Sequence, residues 1–140
     1  MHQLVDGFPG LPTNPGDLPL RAHEVLEMAV SRELSGRSDQ GSHSALATVR
    51  ANADGTAMVL DAIDLPLEKR DPALRVAART ALDDLVATLD GLRRPDGSWP
   101  APADLATAQR EALDARTGDL LERLAQVPGL LEMPPDTNPD

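Results

Sequence analysis

The residues best suited to chemistry lie four positions apart near the start of the chain: the imidazole of His23 and the carboxylate of Glu27. Side chains four residues apart share a face of an α-helix, so these two could reach one ion. At about 100° per residue, with His23 at zero, Glu27 falls at about +40° and the apolar Leu26 and Val30 at about −60° and −20°. We therefore expect His23 and Glu27 to point towards a helical core.

A carboxylate that faces a core loses its hydration and needs a partner. An arginine could supply that partner through a buried ion pair, and a divalent cation shared with the imidazole is the alternative. Asp54 is a further candidate metal ligand, although a surface position or an arginine partner also fits it. His43 and Asp39 could join such a site only if the polar segment between the first two helices folds back.

Composition limits the kinds of protein that this can be. With 140 residues the chain has the size of one domain, and its formal charge of −10 argues against nucleic acid as a partner. Apart from Phe8 and Trp99 the apolar residues are aliphatic, and alanine and leucine favour helices over strands. The chain contains no cysteine, which excludes disulfides and thiolate chemistry. We expect neither a membrane span nor an export signal in this sequence.

Helical periodicity predicts four elements that would position these residues. The first begins at Asp17 and Pro19 and continues to about Leu34, before Gly36. The second ends at Pro66, and the third begins at Asp71 and Pro72. Their apolar seams recur at spacings of three and four residues: Leu46, Val49, Ala53, Thr56, Leu60 and Ile63, then Leu74, Ala78, Ala81, Leu82, Leu85, Leu89 and Leu92.

A fourth helix is predicted from about Ala103 to Gln126, with Leu105, Ala108, Ala112, Ala115, Leu120 and Leu124 on its apolar side. Gly55 next to the second seam suggests a close approach of helices, and Trp99 is expected to cap one end of the core. The predicted fold is all-α, an antiparallel up-and-down four-helix bundle over residues 17–131. Residues 1–16 are expected to form a flexible tail or connector and residues 132–140 a disordered tail.

Several segments resemble one known family. They are LRAHEVLE, the Ser35–Gly36 turn followed by a polar stretch ending in SHSAL, TVRANADGT from Thr48 to Thr56, and RRPDGSWPA from Arg93 to Ala101. In order and spacing they resemble the C-terminal part of the imelysin-like family, in particular the EfeO/EfeM-type iron-uptake proteins of bacterial envelopes. The resemblance covers most of the chain, from Leu18 to Leu131.

The resemblance implies a non-catalytic helical protein outside the cytoplasmic membrane that binds iron or another divalent cation and passes it to an iron permease. It makes His23, Glu27 and Asp54 the metal ligands to test. The absence of an export signal in this sequence leaves a cytoplasmic location as the alternative. The family's GxHxxE signature is not present, because Val5, Leu26 and Leu46 occupy the third position after the three histidines.

The chain therefore resembles half of an imelysin-like domain. Helix faces that would cover the other half must find a partner, so we expect a homodimer or a complementary helical half. A metal-free interaction module is the alternative function. No nucleophile, base and orienting group can be assembled from these residues, so we expect no enzymatic activity.

Overall fold

A run of helices around one aliphatic core makes up the described part of the computed structural model, which covers residues 17–28 and 44–132. The elements are α1 (Asp17–Met28), α2 (Ala45–Ala62), α3 (Asp64–Arg70), α4 (Pro72–Leu92), a 3-10 turn (Pro102–Asp104), α5 (Thr107–Leu124) and α6 (Val127–Glu132). No strand occurs within these ranges, so the predicted all-α class is confirmed. Glu132, the first residue of the predicted C-terminal tail, ends α6. Residues 1–16 and 133–140, the predicted end of the first helix at Leu34, and the candidates His43 and Asp39 lie outside the described residues.

The four longer helices, α1, α2, α4 and α5, contact one another in a ring. Helix α2 packs on α1 and α4, and α5 packs on the same two helices. The short helix α3 lies against α4, and α6 lies against α1, α3 and α5. Arg70 at the end of α3 donates from Nη1 to the carbonyl oxygen of Leu130 over 2.8 Å, which ties α3 to α6. The antiparallel four-helix bundle as a whole stays a prediction.

The seams predicted for α2 and α4 are confirmed. The α2 residues at these positions are all buried, and those of α4 are buried except for Leu92, which is half-buried. Thr56 tolerates its buried position because its hydroxyl donates to the carbonyl oxygen of Asn52 over 2.9 Å. The predicted start of α4 is also found, since the side chain of Asp71 accepts a hydrogen bond from the backbone N–H of Leu74 over 2.8 Å.

Two helix ends differ from the sequence prediction because proline is tolerated near a helix start. Helix α2 ends at Ala62 rather than at Pro66, and Pro66 lies in the first turn of α3. Pro128 likewise lies in the first turn of α6, in a stretch for which we predicted no helix. The first N–H groups of a helix have no intrahelical acceptor, so proline loses nothing there.

The rotational phase predicted for the first half of α5 is wrong, whereas Leu105, Leu120 and Leu124 are buried as predicted. Ala108, Ala112 and Ala115 are exposed, and the buried residues are Leu113, Thr117, Leu120 and Leu124. The three leucines bury more apolar surface than the alanines would, and this sets the phase. The hydroxyl of Thr117 donates to the carbonyl oxygen of Leu113 over 2.7 Å, which allows a polar residue in the seam.

Candidate functional site

The two residues with which the metal hypothesis begins do not both face the core. His23 is half-buried on α1, whereas Glu27 is exposed. The buried residues of α1 are Pro19, Ala22 and Leu26, which on an ideal helix place the centre of the buried side about 65° from His23 and about 105° from Glu27. The predicted inward orientation of Glu27 is therefore wrong, and its carboxylate does not need a buried partner.

Asp54 is held by an arginine. Its carboxylate accepts from Nη1 of Arg50 one turn earlier on α2, and Nε of the same guanidinium donates to Oδ1 of Asp90 on α4 over 2.9 Å. The hydrogen bond to Asp54, with that to Asp90, raises the pKa of Arg50 above its ordinary value, so this cation stays charged. Of the alternatives left open for Asp54, the arginine partner is confirmed.

Within residues 17–28 and 44–132, no three or more His, Asp or Glu side chains are grouped as a metal ion requires. His23 and Glu27 remain four residues apart on α1, but the structure brings no third ligand of this kind to them from the described residues. Neither side chain forms a hydrogen bond or ion pair with another described residue. The assignment of His23, Glu27 and Asp54 as metal ligands stays a prediction.

Ion pairs mark the line along which α2 and α3 pack on α4, and sequence reasoning missed this line. Residues later in α2 and α3 pair with residues earlier in α4, so α2 and α4 run antiparallel. The signal was present in the sequence, because opposite charges stand at nearly equal distances on either side of Arg70. The pairs are Arg50–Asp90, Asp61–Arg79 and Asp64–Arg75, with N···O distances of 2.9, 2.5 and 2.8 Å.

In most of these pairs the carboxylate side chain is more exposed to solvent than the arginine side chain. The side chains of Asp54, Asp61 and Asp90 are 64%, 71% and 51% exposed, against 24% for Arg50 and 30% for Arg79. The arginine side chains of these two residues are thus better shielded from solvent than the carboxylates that they bind. Asp54, Asp61 and Asp90 therefore present their carboxylates to solvent on this side of the molecule.

A groove at the end of this line brings together two of the segments that carry the family resemblance. Arg50 and Asp54 come from the segment Thr48–Thr56, and Arg93 and Trp99 come from the segment Arg93–Ala101. The guanidinium of Arg93 lies 5.6 Å from the centre of the Trp99 ring, within the range of a cation–π interaction. Trp99 is half-buried and packs against the core, as predicted.

The chain is similar in sequence to part of a known group of proteins. It is 29% identical over 107 residues to the "Iron uptake system component EfeO" of Escherichia coli strain K12, and equally similar to the protein of that name from Shigella flexneri. The match covers 76% of this chain and 28% of each relative, so the chain spans little more than a quarter of the length of these relatives. No protein-family model matches the chain.

The described helices contain no segment suited to crossing a membrane. None of them combines the length and the apolar character that a bilayer span requires.

Proposed function

We propose that this chain is a non-catalytic helical component of an iron-uptake system, acting on the periplasmic side of the membrane. The observation that supports the proposal is the 29% identity over 107 residues to the EfeO proteins. The groove at Trp99 adds local support, because residues from two separate resembling segments line it together.

We propose further that the chain works by assembly with another helical protein. Three features support this view over a metal site formed by this chain alone: Glu27 is exposed, Asp54 is bound to Arg50, and no metal-ligand group is found among the described residues. The partner would be a second copy or a complementary helical half, and an iron permease would receive the iron from the assembly.

The test is iron uptake by the cells that produce the chain. Deleting its gene should lower the accumulation of radioactive iron from iron-limited medium, and a plasmid copy of the intact gene should restore it. Uptake of radioactive manganese serves as the control for general damage to the envelope. Unchanged iron uptake in the deletion strain would exclude the proposed function.

Direct cation binding at His23 and Glu27 is the second candidate function. Both side chains are accessible, they lie one helical turn apart, and imidazole and carboxylate groups suit iron, zinc and manganese. The predicted third ligand, Asp54, would first have to leave Arg50. Ordered water or a partner's carboxylate could complete the coordination instead.

Calorimetric titration of Fe²⁺ without oxygen, and of Zn²⁺ and Mn²⁺, tests this second function. Binding heat that disappears in His23→Ala and in Glu27→Gln, but persists in the control Glu111→Gln on α5, would support the site. Equal heats in all four proteins would exclude it. The second outcome leaves the uptake proposal intact, since that proposal is tested in cells.

A further inference from the structure

Two large apolar side chains project from the side of the molecule that carries the ion pairs between α2, α3 and α4. Met58 on α2 is 73% exposed, and Val76 on α4 is 57% exposed. Val76 lines one groove together with Asp61 and Thr80, and Met58 lies about one turn before Asp61 on α2. Val76 therefore borders the groove itself, and Met58 lies on the exposed side of α2 one turn from Asp61, which lines the groove.

Each of the two helices presents a regular exposed stripe on this side. On α2 the stripe consists of Ala51, Asp54, Met58 and Asp61, all exposed and within about 80° of one another on an ideal helix. Spacings of three and four residues of this kind mark a helix side that can pack against another helix. A Cβ atom added at Gly55, next to this stripe, would have no described atom within 4 Å.

The stripe on α4 has the same spacing. Val76, Thr80, Asp83, Ala87 and Asp90 are exposed and also fall within about 80°. We call the two stripes together the α2–α4 face. Exposed apolar side chains on two adjacent helices form a surface that the apolar side of an amphipathic helix can cover.

Charge decides which helix fits. The exposed charged members of the α2–α4 face are all acidic (Asp54, Asp61, Asp83 and Asp90), and the arginines that neutralise three of them lie deeper. A second copy of the chain, with its formal charge of −10, would bring like charges together if it used the same face. A helix with basic residues beside its apolar seam would match both the charge and the shape.

We infer that the α2–α4 face is the docking surface for an amphipathic, positively charged helix of a partner protein. The inference rests on the proposed function in iron uptake and names the kind of partner that assembly requires. Met58 and Val76 would contact the apolar seam of that helix. The four aspartates would face Lys or Arg at its edges.

Photocrosslinking in the cells that produce the chain tests this inference. The crosslinker p-benzoylphenylalanine replaces Met58 in one variant and Leu20 in the control. Leu20 is 43% exposed on α1 and so is also accessible. We expect an adduct with another protein from position 58 only, and mass spectrometry should map the crosslink to a helical segment with a net positive charge.

A charge series at Asp83 makes the test specific. In the protein with the crosslinker at position 58, adduct yield should fall from wild type to Asp83→Asn and again to Asp83→Lys, by about fivefold in total. The control Glu111→Lys, which makes the same charge change on α5, should leave the yield unchanged. Equal thermal stability of the variants checks that the fold is intact.

An adduct with a second copy of the chain, an adduct on a neutral or acidic segment, the same adduct from position 20, or no adduct at all would overturn the inference. Iron uptake distinguishes this result from failure of the proposed function. A deletion strain with low iron uptake and no adduct at position 58 would retain the function and exclude this docking surface.

Discussion

Arg75 on α4 donates two parallel hydrogen bonds to Asp64 on α3, from Nε to Oδ1 over 2.8 Å and from Nη2 to Oδ2 over 2.9 Å. This two-point geometry is the strongest form of arginine–carboxylate pairing. The hydrogen bond from Arg75 is the main reason that the pKa of Asp64 lies below its ordinary value. The pair therefore fixes the start of the short helix α3 against α4.

Asp64→Asn should make the protein less stable near neutral pH and less sensitive to acid. A carboxyl group whose pKa is lower in the folded state stabilises the fold above its unfolded pKa and loses that effect as the pH falls through the folded pKa. The difference in unfolding free energy between wild type and variant should therefore be largest at about pH 7 and shrink towards about pH 2. Urea unfolding at several pH values measures it.

Asp83→Asn is the matched control for that experiment, since Asp83 is an exposed carboxylate on α4. Its effect on stability should be small at every pH. A stability difference for Asp64→Asn that does not change with pH would contradict the role assigned to the ion pair.

Gly55→Ala should stabilise the protein by about 1 kcal/mol, because alanine has the higher helix propensity and restricts the unfolded chain more. Gly55 lies within α2, and an added Cβ would meet nothing within 4 Å. The close helix approach that the sequence suggested at Gly55 is therefore not found among the residues that the structure describes. Thermal or urea unfolding measures the change.

Gly97→Ala provides the opposite control. Gly97 has a φ of +83°, a conformation that side chains other than glycine rarely adopt, so alanine there should destabilise the loop before Trp99. If Gly55→Ala also destabilised the protein, some contact to α2 near Gly55 would have to exist in solution.

Much of this fold follows from periodicity in the sequence. The seams of α2 and α4 were predictable because leucine, valine and alanine recur at helical spacing and polar residues occupy the other positions. The start of α4 was predictable because Asp71 and Pro72 form a clear N-terminal signal. Local sequence was sufficient in these cases because one face of each helix is much more apolar than the other.

The site was less predictable, because the orientation of α1 depends on which few residues of a short amphipathic helix pack inward. The prediction centred the buried side near Val30, at about −20° from His23, and so turned Glu27 inward, whereas Pro19, Ala22 and Leu26 centre it at about −65°, further from Glu27. A shift of this size decides whether a carboxylate at the edge of the stripe meets the core or solvent. The ion pairs between α2 and α4 depend on tertiary pairing, which helical periodicity alone does not show.

The phase of α5 can be tested by one pair of substitutions. Leu113→Ala should destabilise the protein by about 2–5 kcal/mol, because it would leave a cavity in the core where Leu113 is now 1% exposed. Ala112→Ser changes the exposed neighbour that the sequence had placed in the seam, and should alter stability by less than about 0.5 kcal/mol. A larger loss of stability from Ala112→Ser than from Leu113→Ala would mean that the first half of α5 packs in the predicted phase instead.

The hydrogen bond from the N–H of Leu74 to the side chain of Asp71 should stabilise the start of α4. Asp71→Ala removes the acceptor and should lower the unfolding free energy by about 1 kcal/mol, the usual cost of losing a helix cap. Asp71→Ser keeps an oxygen that can accept the same hydrogen bond, and should retain most of the stability. Because Asp71 also joins α3 to α4, local fraying should accompany the loss. Hydrogen exchange at the amide of Leu74 should become faster in Asp71→Ala than in Asp71→Ser, and equal exchange rates would show that the cap contributes nothing.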